Sequence, residues 1–388
     1  MLLLGVYSLA LNRRHSAYYL ASSAIRLGVI LGLHLDVPCS QLSDRGIREH
    51  RIRIWWTAFC FDRMWASKLG QPVSIQDDLI QVDLPSGEGL AGEYSGDFGD
   101  PDYLKACVQL AKLAEHVISS LYARRKQQGA FSQRVQQALR DLGKWVGDLP
   151  SRLQLATDVP SQTTPNHIIF MHLTFNQTGT ATHLSHIPRF MEAAPDQPRP
   201  RVSETALALA EACIRCSRHS YRLLTESWIN GFFGTFGYTD TQYLFSAATI
   251  LAISSLLNTP DSQNDGDQFE TATDLLRQLE RVGNFAAKEF CKHVDAMKAV
   301  MEAFSGDGQS HADEASTTIR ASVMPNVFQD IGPSANAGSM VTAGMALAEP
   351  SLQEFLSQPD LEYPFIDSLI QGDGLQSLYW PSEGWMTG

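Results

Sequence analysis

No uninterrupted apolar run in these 388 residues approaches the ~20 needed to cross a bilayer. No membrane span is therefore expected. Basic residues are also scarce: 30 Lys and Arg face 42 Asp and Glu, a formal net charge of −12. That balance excludes a chain that grips a phosphate backbone by charge alone. Period-two alternation is missing as well, which removes sandwiches and barrels from consideration. The six cysteines, at 39, 60, 107, 213, 216 and 291, form no disulfide framework and read as thiols of a reduced intracellular protein. A glycine-rich phosphate loop and a nucleophile elbow are both absent.

What is present is helical periodicity. The opening MLLLGVYSLALNRRHS places its basic pair, Arg13-Arg14, after the apolar run, the reverse of a secretory signal. It reads as an uncapped helix, as if the chain were entered partway through a domain. Helical spacing follows at 16–35, with Ser16 as the expected N-cap, and at 44–69, entered at Asp44. The second of these is apolar around most of its circumference and so belongs in the middle of a bundle. Residues 86–101 hold five glycines and read as a surface loop. Further helices are expected at 102–128, 131–147, 166–187, 203–228, 240–258 and 267–304, with a Pro/Ser/Thr-rich connection at 150–165. The fold class is all-α, an irregular multi-helix bundle over 1–304.

Composition changes after Phe304. Residues 305–347 are rich in Gly, Ser, Ala and Thr and are expected to be largely disordered. From Gly306 onward there are eleven acidic residues and one basic residue, Arg320, so the net acidity sits mostly in this tail. Within 349–388, acidic residues interleave with Phe355, Leu356, Tyr363, Phe365, Tyr379, Trp380 and Trp385. Acidic-hydrophobic alternation is the composition of an activation segment that folds on a partner. The alternative is a tail that packs back on the body.

Candidate sites for chemistry are thin. Cys213 and Cys216 have the spacing of half a zinc site, but they lie inside a helical pattern and the other two ligands are missing. Cys291 with His293 is the only other close pair, and His183 with His186 has no carboxylate at ligand spacing. Asp77-Asp78 resembles the start of an aspartate-rich Mg²⁺ motif, yet position 81 is Gln, and Asn264-Asp265-Gly266-Asp267 reads as a loop. No catalytic residue, metal site or cofactor is expected in this chain, and an enzyme is the least supported reading.

The densest stretch is 49–85, EHRIRIWWTAFCFDRMWASKLGQPVSIQDDLIQVDLP. Glu49, Arg51 and Arg53 enter a tryptophan pair, Trp55-Trp56. Asp62-Arg63 sits among Phe59, Phe61 and Trp65. Gly70-Gln71-Pro72 turns the chain, and Asp77 and Pro85 mark the exit. The charges either pair with one another and with neighbouring helices, so that an aromatic helix enters the core without stranded charge, or they line a ligand pocket or touch DNA. Trp55-Trp56 directly after the arginines favours burial.

The order Leu31-Gly32-Leu33-His34, Glu49-x-Arg51-x-Arg53-x-Trp55-Trp56, Asp62-Arg63, Gly70-x-Pro72, Ile75-x-Asp77 and Leu84-Pro85 resembles the middle homology region of fungal zinc-cluster transcription factors. The resemblance is strongest over 1–85 and weaker to about 304. It departs where the family has Gly-Arg-Pro and this chain has Gly70-Gln71-Pro72. It implies a regulatory, effector-responsive and partner-binding region in the nucleus, working with regulatory proteins or the transcription machinery. A small-molecule effector and a dimer are compatible with it. The family's zinc cluster, linker and coiled coil are not in this sequence, so DNA contact is expected only through such a module or a partner. A stand-alone helical binding protein derived from such a regulator is the alternative.

Overall fold

A computed structural model of the chain describes residues 1–90, 94, 96–122, 131–155, 164–183, 204–257, 260–310 and 356. Among them are ten α-helices and no strand. In order these are α1 (Leu2–Ala10), α2 (Arg14–Ile30), α3 (Arg45–Leu69), α4 (Pro101–Tyr122), α5 (Phe131–Gly147), α6 (Asn166–His183), α7 (Glu204–Ile229), α8 (Tyr238–Ser255), α9 (Ser262–Arg281) and α10 (Phe285–Ser310). Two single 3₁₀ turns, Asp77–Leu79 and Ser151–Leu153, lie between them. The all-α expectation is met.

The chain forms two compact units. The first draws its described residues from Met1–Leu155, Thr164–Cys216 and Ala343–Gly388. The second draws on Ala156–Thr163 and Ser217–Thr342. In the first, Ile25, Trp55, Trp56, Phe59, Ile75 and Val108 make one buried cluster where α2, α3 and α4 meet. A larger cluster joins α4 to α5, α6 and the start of α7 through Leu110, Val117, Leu139, Leu142, Phe175 and Leu209. Trp145 stacks on Phe175 at a centroid distance of 5.2 Å within it. In the second unit, Phe245 of α8 stacks on Phe290 of α10 at 4.5 Å, above the buried Phe269, Leu276 and Leu279 of α9.

Helix ends follow local chemistry. Asp44 caps α3 as expected, its carboxylate accepting from the Ile47 amide at 2.9 Å. That bond, with another from the Tyr94 hydroxyl, holds the Asp44 carboxyl below the usual range. Gly70 ends α3 at φ 60°, ψ 30°, a left-handed position that a side chain would strain. Three expectations need correction. Ser16 is not a cap: α2 starts at Arg14. The turn before it, closed by backbone bonds from Asn12 to Leu9 and from Arg13 to Ser8, puts Arg13 at the N-cap, where no side-chain cap bond is made. The single helix read over 267–304 is two helices, parted at Gly283 (φ 94°), and the second runs on to Ser310. Residues 264–267 are not a loop but lie within the first two turns of α9. Residues 123–128, 184–187, 311–347 and all of 349–388 except Leu356 lie outside the described residues, so the readings made there, including the disordered linker, stay as expectations.

Candidate functional site

The helix α3 is less apolar than its sequence suggests. Ile47 and Ile54 are exposed, while Glu49, Asp62, Arg63 and Lys68 are buried beside Trp55, Trp56, Phe59 and Trp65. Buried polar groups require partners, and most of these partners lie in one place. After the Gly70 turn the chain runs back along α3, and α3 holds it by its polar side chains. The Arg63 guanidinium donates to the Ile75 carbonyl at 3.0 Å and to the Asp77 carboxylate. Two turns earlier, the Trp56 indole N–H donates to the Asp83 carbonyl at 2.8 Å. Two turns earlier again, both Glu49 oxygens accept from the Ser86 amide at 3.1 and 3.2 Å. At the helix start, the Tyr94 hydroxyl donates to Asp44 at 3.0 Å. Its ring lies against Gly46, where any Cβ would overlap it.

Positions 49, 56 and 63 are seven apart, so they fall on one helix face about 10 Å from one another. The returning segment is extended, with one 3₁₀ turn, and has no ladder of its own. Its amides and carbonyls are satisfied instead by α3 and by His34, whose carbonyl accepts from the Gln81 and Val82 amides at 2.8 and 3.0 Å. Pro72 is tied by the Tyr18 hydroxyl at 2.8 Å.

Asp62 completes the fastening from inside. It is fully buried and accepts from the Ser74 amide at 2.9 Å, from the Ser74 hydroxyl and from the Ser22 hydroxyl at 3.4 Å. Arg63 lies flat on the Phe59 ring, its Cζ 3.7 Å from the centroid. Asp77 is shared with Lys112 of α4 at 2.9 Å. Burial works to raise the Asp77 carboxyl, but the Lys112 bond and the charges of Arg63 and Lys112 outweigh it and keep it low. The remaining arginines are also engaged. Arg53 bridges Glu49 at 2.6 Å and the Gly99 carbonyl at 2.8 Å. Arg51 reaches the Gly32 carbonyl at 3.3 Å, and Arg48 the Leu42 carbonyl. What resembles a basic face is thus largely committed to backbone oxygens. Gln71, where the family has arginine, is exposed, and its side-chain amide reaches the Leu69 carbonyl at 3.5 Å.

The structure therefore gathers ten of the residues picked out by sequence, Glu49, Arg51, Arg53, Trp56, Asp62, Arg63, Gly70, Pro72, Asp77 and Pro85, around α3 and its returning segment. Trp55 points the other way. Its fully buried ring lies on the wall of an apolar cleft of about 310 Å³ between α1, α2 and α3, with Leu2, Leu27, Gly28, Leu31 and Leu33. Ser22, Ser74, Tyr94 and Lys112 were missed. Only Ser74 carried a signal, since it sits between the Gly70 turn and Asp77.

Lys68, near the end of α3, was missed too. Its ammonium lies over the Trp65 ring at 5.2 Å, and burial pushes it down to about 7. Between about pH 7 and the unfolded lysine value, the unfolded chain binds more protons here than the folded one. Stability contributed by this residue therefore rises with pH through that window. Lys68→Met is expected to raise the melting temperature at pH 7 by ~2–4 °C, about 1 kcal/mol or more. That gain should shrink toward pH 10, and a gain independent of pH would show that the depressed ammonium of Lys68 is not its source.

Cys213, Cys216 and Asp265 are packed within the fold, whereas the side chains of His183 and His186 lie outside the described residues. Cys213 and Cys216 are buried on α7, and burial pushes the Cys216 thiol up to about 12, away from the thiolate a metal needs. Asp265 is bound to Arg218 at 2.6 and 2.7 Å. Among the described residues no three His, Cys, Asp or Glu side chains converge as metal ligands.

Comparison with known proteins places this arrangement. Residues 1–154 match the family model described as the fungal specific transcription factor domain. An uncharacterized transcriptional regulatory protein of Schizosaccharomyces pombe is 21% identical over 81% of this chain and 39% of its own length. Protein STB5 of Saccharomyces cerevisiae is 23% identical over 60% of this chain and 33% of its own length. An ABC-transporter-regulating transcription factor of Aspergillus oryzae is 24% identical over 43% and 20% respectively. The chain thus spans 39% and 33% of the length of the first two relatives. No solved structure matches it significantly. The α3 rail and its returning segment both lie within the matched residues, so residues 1–154 carry a fungal specific transcription factor domain, and the chain is similar to fungal transcriptional regulators.

Proposed function

We propose that this chain is the regulatory region of a nuclear fungal transcription regulator and that it makes no DNA contact of its own. The observation that carries this reading is the use of the arginines. Arg48, Arg51, Arg53 and Arg63 all bind carbonyls or carboxylates within the fold, and a chain of net charge −12 has little else to offer a phosphate backbone. DNA would be reached through another module or a partner. The helices would receive the signal, and the acidic aromatic segment 349–388 would contact regulatory proteins or the transcription machinery. The apolar cleft at Trp55 suits a small apolar effector, being near the lower end of ligand-pocket sizes.

The test is a reporter assay with the whole chain fused to an unrelated DNA-binding domain. Activation is expected, with at least a five-fold loss when Phe365, Tyr379, Trp380 and Trp385 are all changed to alanine. Unchanged activation would remove the role given to 349–388. Specific binding of the purified chain to duplex DNA at physiological salt would overturn the reading as a whole.

A further inference from the structure

After Ser310 one residue is described, Leu356, and it is not isolated. Its side chain packs against the core cluster built by α4, α5, α6 and α7. Its carbonyl accepts from the Arg140 guanidinium of α5 at 2.5 Å, a contact between positions 216 residues apart. Arg140 is otherwise exposed. We propose that the surface beside Arg140 is a docking site for the chain's own acidic segment, with Leu356 as the apolar anchor and Arg140 as the clamp.

Three observations favour this occupant. The segment supplies a leucine to the cluster and a carbonyl to an exposed guanidinium. The charges agree, since Glu349 and Glu354 precede Leu356 while α5 carries Arg134, Arg140 and Lys144 against the single acid Asp141. The tether suffices, because 45 residues join Ser310 to Leu356. A tether of that length raises the effective concentration of the segment beside Arg140, so a weak contact is occupied most of the time.

The consequence for regulation rests on the reading of 349–388 as an activation segment. Docked, the residues around Leu356 are withheld from other partners. A protein or signal that loosens Arg140 would release them.

The experiment measures binding of a fluorescein-labelled peptide of residues 349–362 to the full chain by anisotropy. Wild type carries its own competitor. The Leu356→Asp chain does not, and it is expected to bind the peptide at least ten-fold more tightly. Adding Arg140→Glu to that chain should remove at least ten-fold of the gain. Circular dichroism and melting of both variants guard against misfolding, which is not expected from two residues outside the buried core. Equal binding to wild type and Leu356→Asp, or no binding to either, overturns the proposal. So does a wild-type chain that dimerises with concentration unless Leu356 is changed, since the tail would then occupy a second copy. In the reporter assay, Leu356→Asp should raise activation about three-fold or more. A flat reporter beside the expected peptide result would leave docking standing and sink the activation reading.

Discussion

Asp62→Ala is expected to cost the first unit about 3–5 kcal/mol, the loss seen when one partner of a buried charged network is removed. Asp62 has no exposed surface, and its oxygens serve the Ser74 amide and the Ser74 and Ser22 hydroxyls. Its departure leaves a buried amide without an acceptor. It also leaves Arg63, whose Nη1 lies 3.9 Å away and which is 2% exposed, with only Asp77 to balance its charge. Asp62→Asn keeps the shape and one acceptor and should lose about half as much. Asp77→Ala is the contrast: it is 47% exposed, and Arg63 keeps the Ile75 carbonyl, so about 1 kcal/mol or less is expected. Urea melts of the three variants followed by circular dichroism decide the matter. If Asp62→Ala is no worse than Asp77→Ala, Asp62 does not fasten the segment.

Arg218→Ala should be as damaging to the second unit, again about 3–5 kcal/mol. Arg218 meets Asp265 through Nε at 2.7 Å and Nη2 at 2.6 Å, a bidentate pair, and reaches Asp261 with Nη1 at 2.9 Å. Asp265 is fully buried and has only the Ser254 hydroxyl besides. Truncating Arg218 strands that carboxylate in α9, whereas Asp261→Ala removes a partner that is 63% exposed and should cost well under 1 kcal/mol. The loss from Arg218→Ala should fall if Asp265→Asn is added, because the stranded charge is then gone. A double variant no better than Arg218→Ala would rule out charge burial as the cause.

Both networks were partly written in the sequence. Around α3 the residues were legible in order and in kind, from Glu49 to Pro85, and so was the all-α class. The geometry was not, because what these side chains hold is mostly main chain: the Ile75, Asp83 and Gly99 carbonyls and the Ser74 and Ser86 amides. A sequence names side chains, and backbone partners carry no letter. The seven-residue spacing of Glu49, Trp56 and Arg63 was a visible clue to a shared face, but apolar periodicity in the same helix masked it. Asn264–Asp267 was misread for a different reason. Polar composition suggests a loop, yet acids at a helix start are favoured by the macrodipole, and Asp265 stands in the first turn of α9 with Arg218 against it. The division at Gly283 was hidden by apolar residues in helical phase on both sides. There Asn284 starts α10 by accepting from the Ala287 amide at 2.9 Å. The Leu356 contact had no local signal at all, since Arg140 lies 216 residues earlier and the cluster is built from helices far back in the chain.

The rail along α3 also bears on the order of folding. The segment from Pro72 to Ser86 has no repeating hydrogen bonds within itself, so it has no shape to adopt until the helix beside it exists. Helix formation is local and fast, while closing a loop onto it is slower and comes second. The helix is then a template on which the segment is laid from Gly70 outward, each grip shortening the loop to the next. A signature in hydrogen exchange should follow. The Ser74 and Ser86 amides, though in no helix, should open only when α3 itself does, and should share its protection instead of that of surface loops.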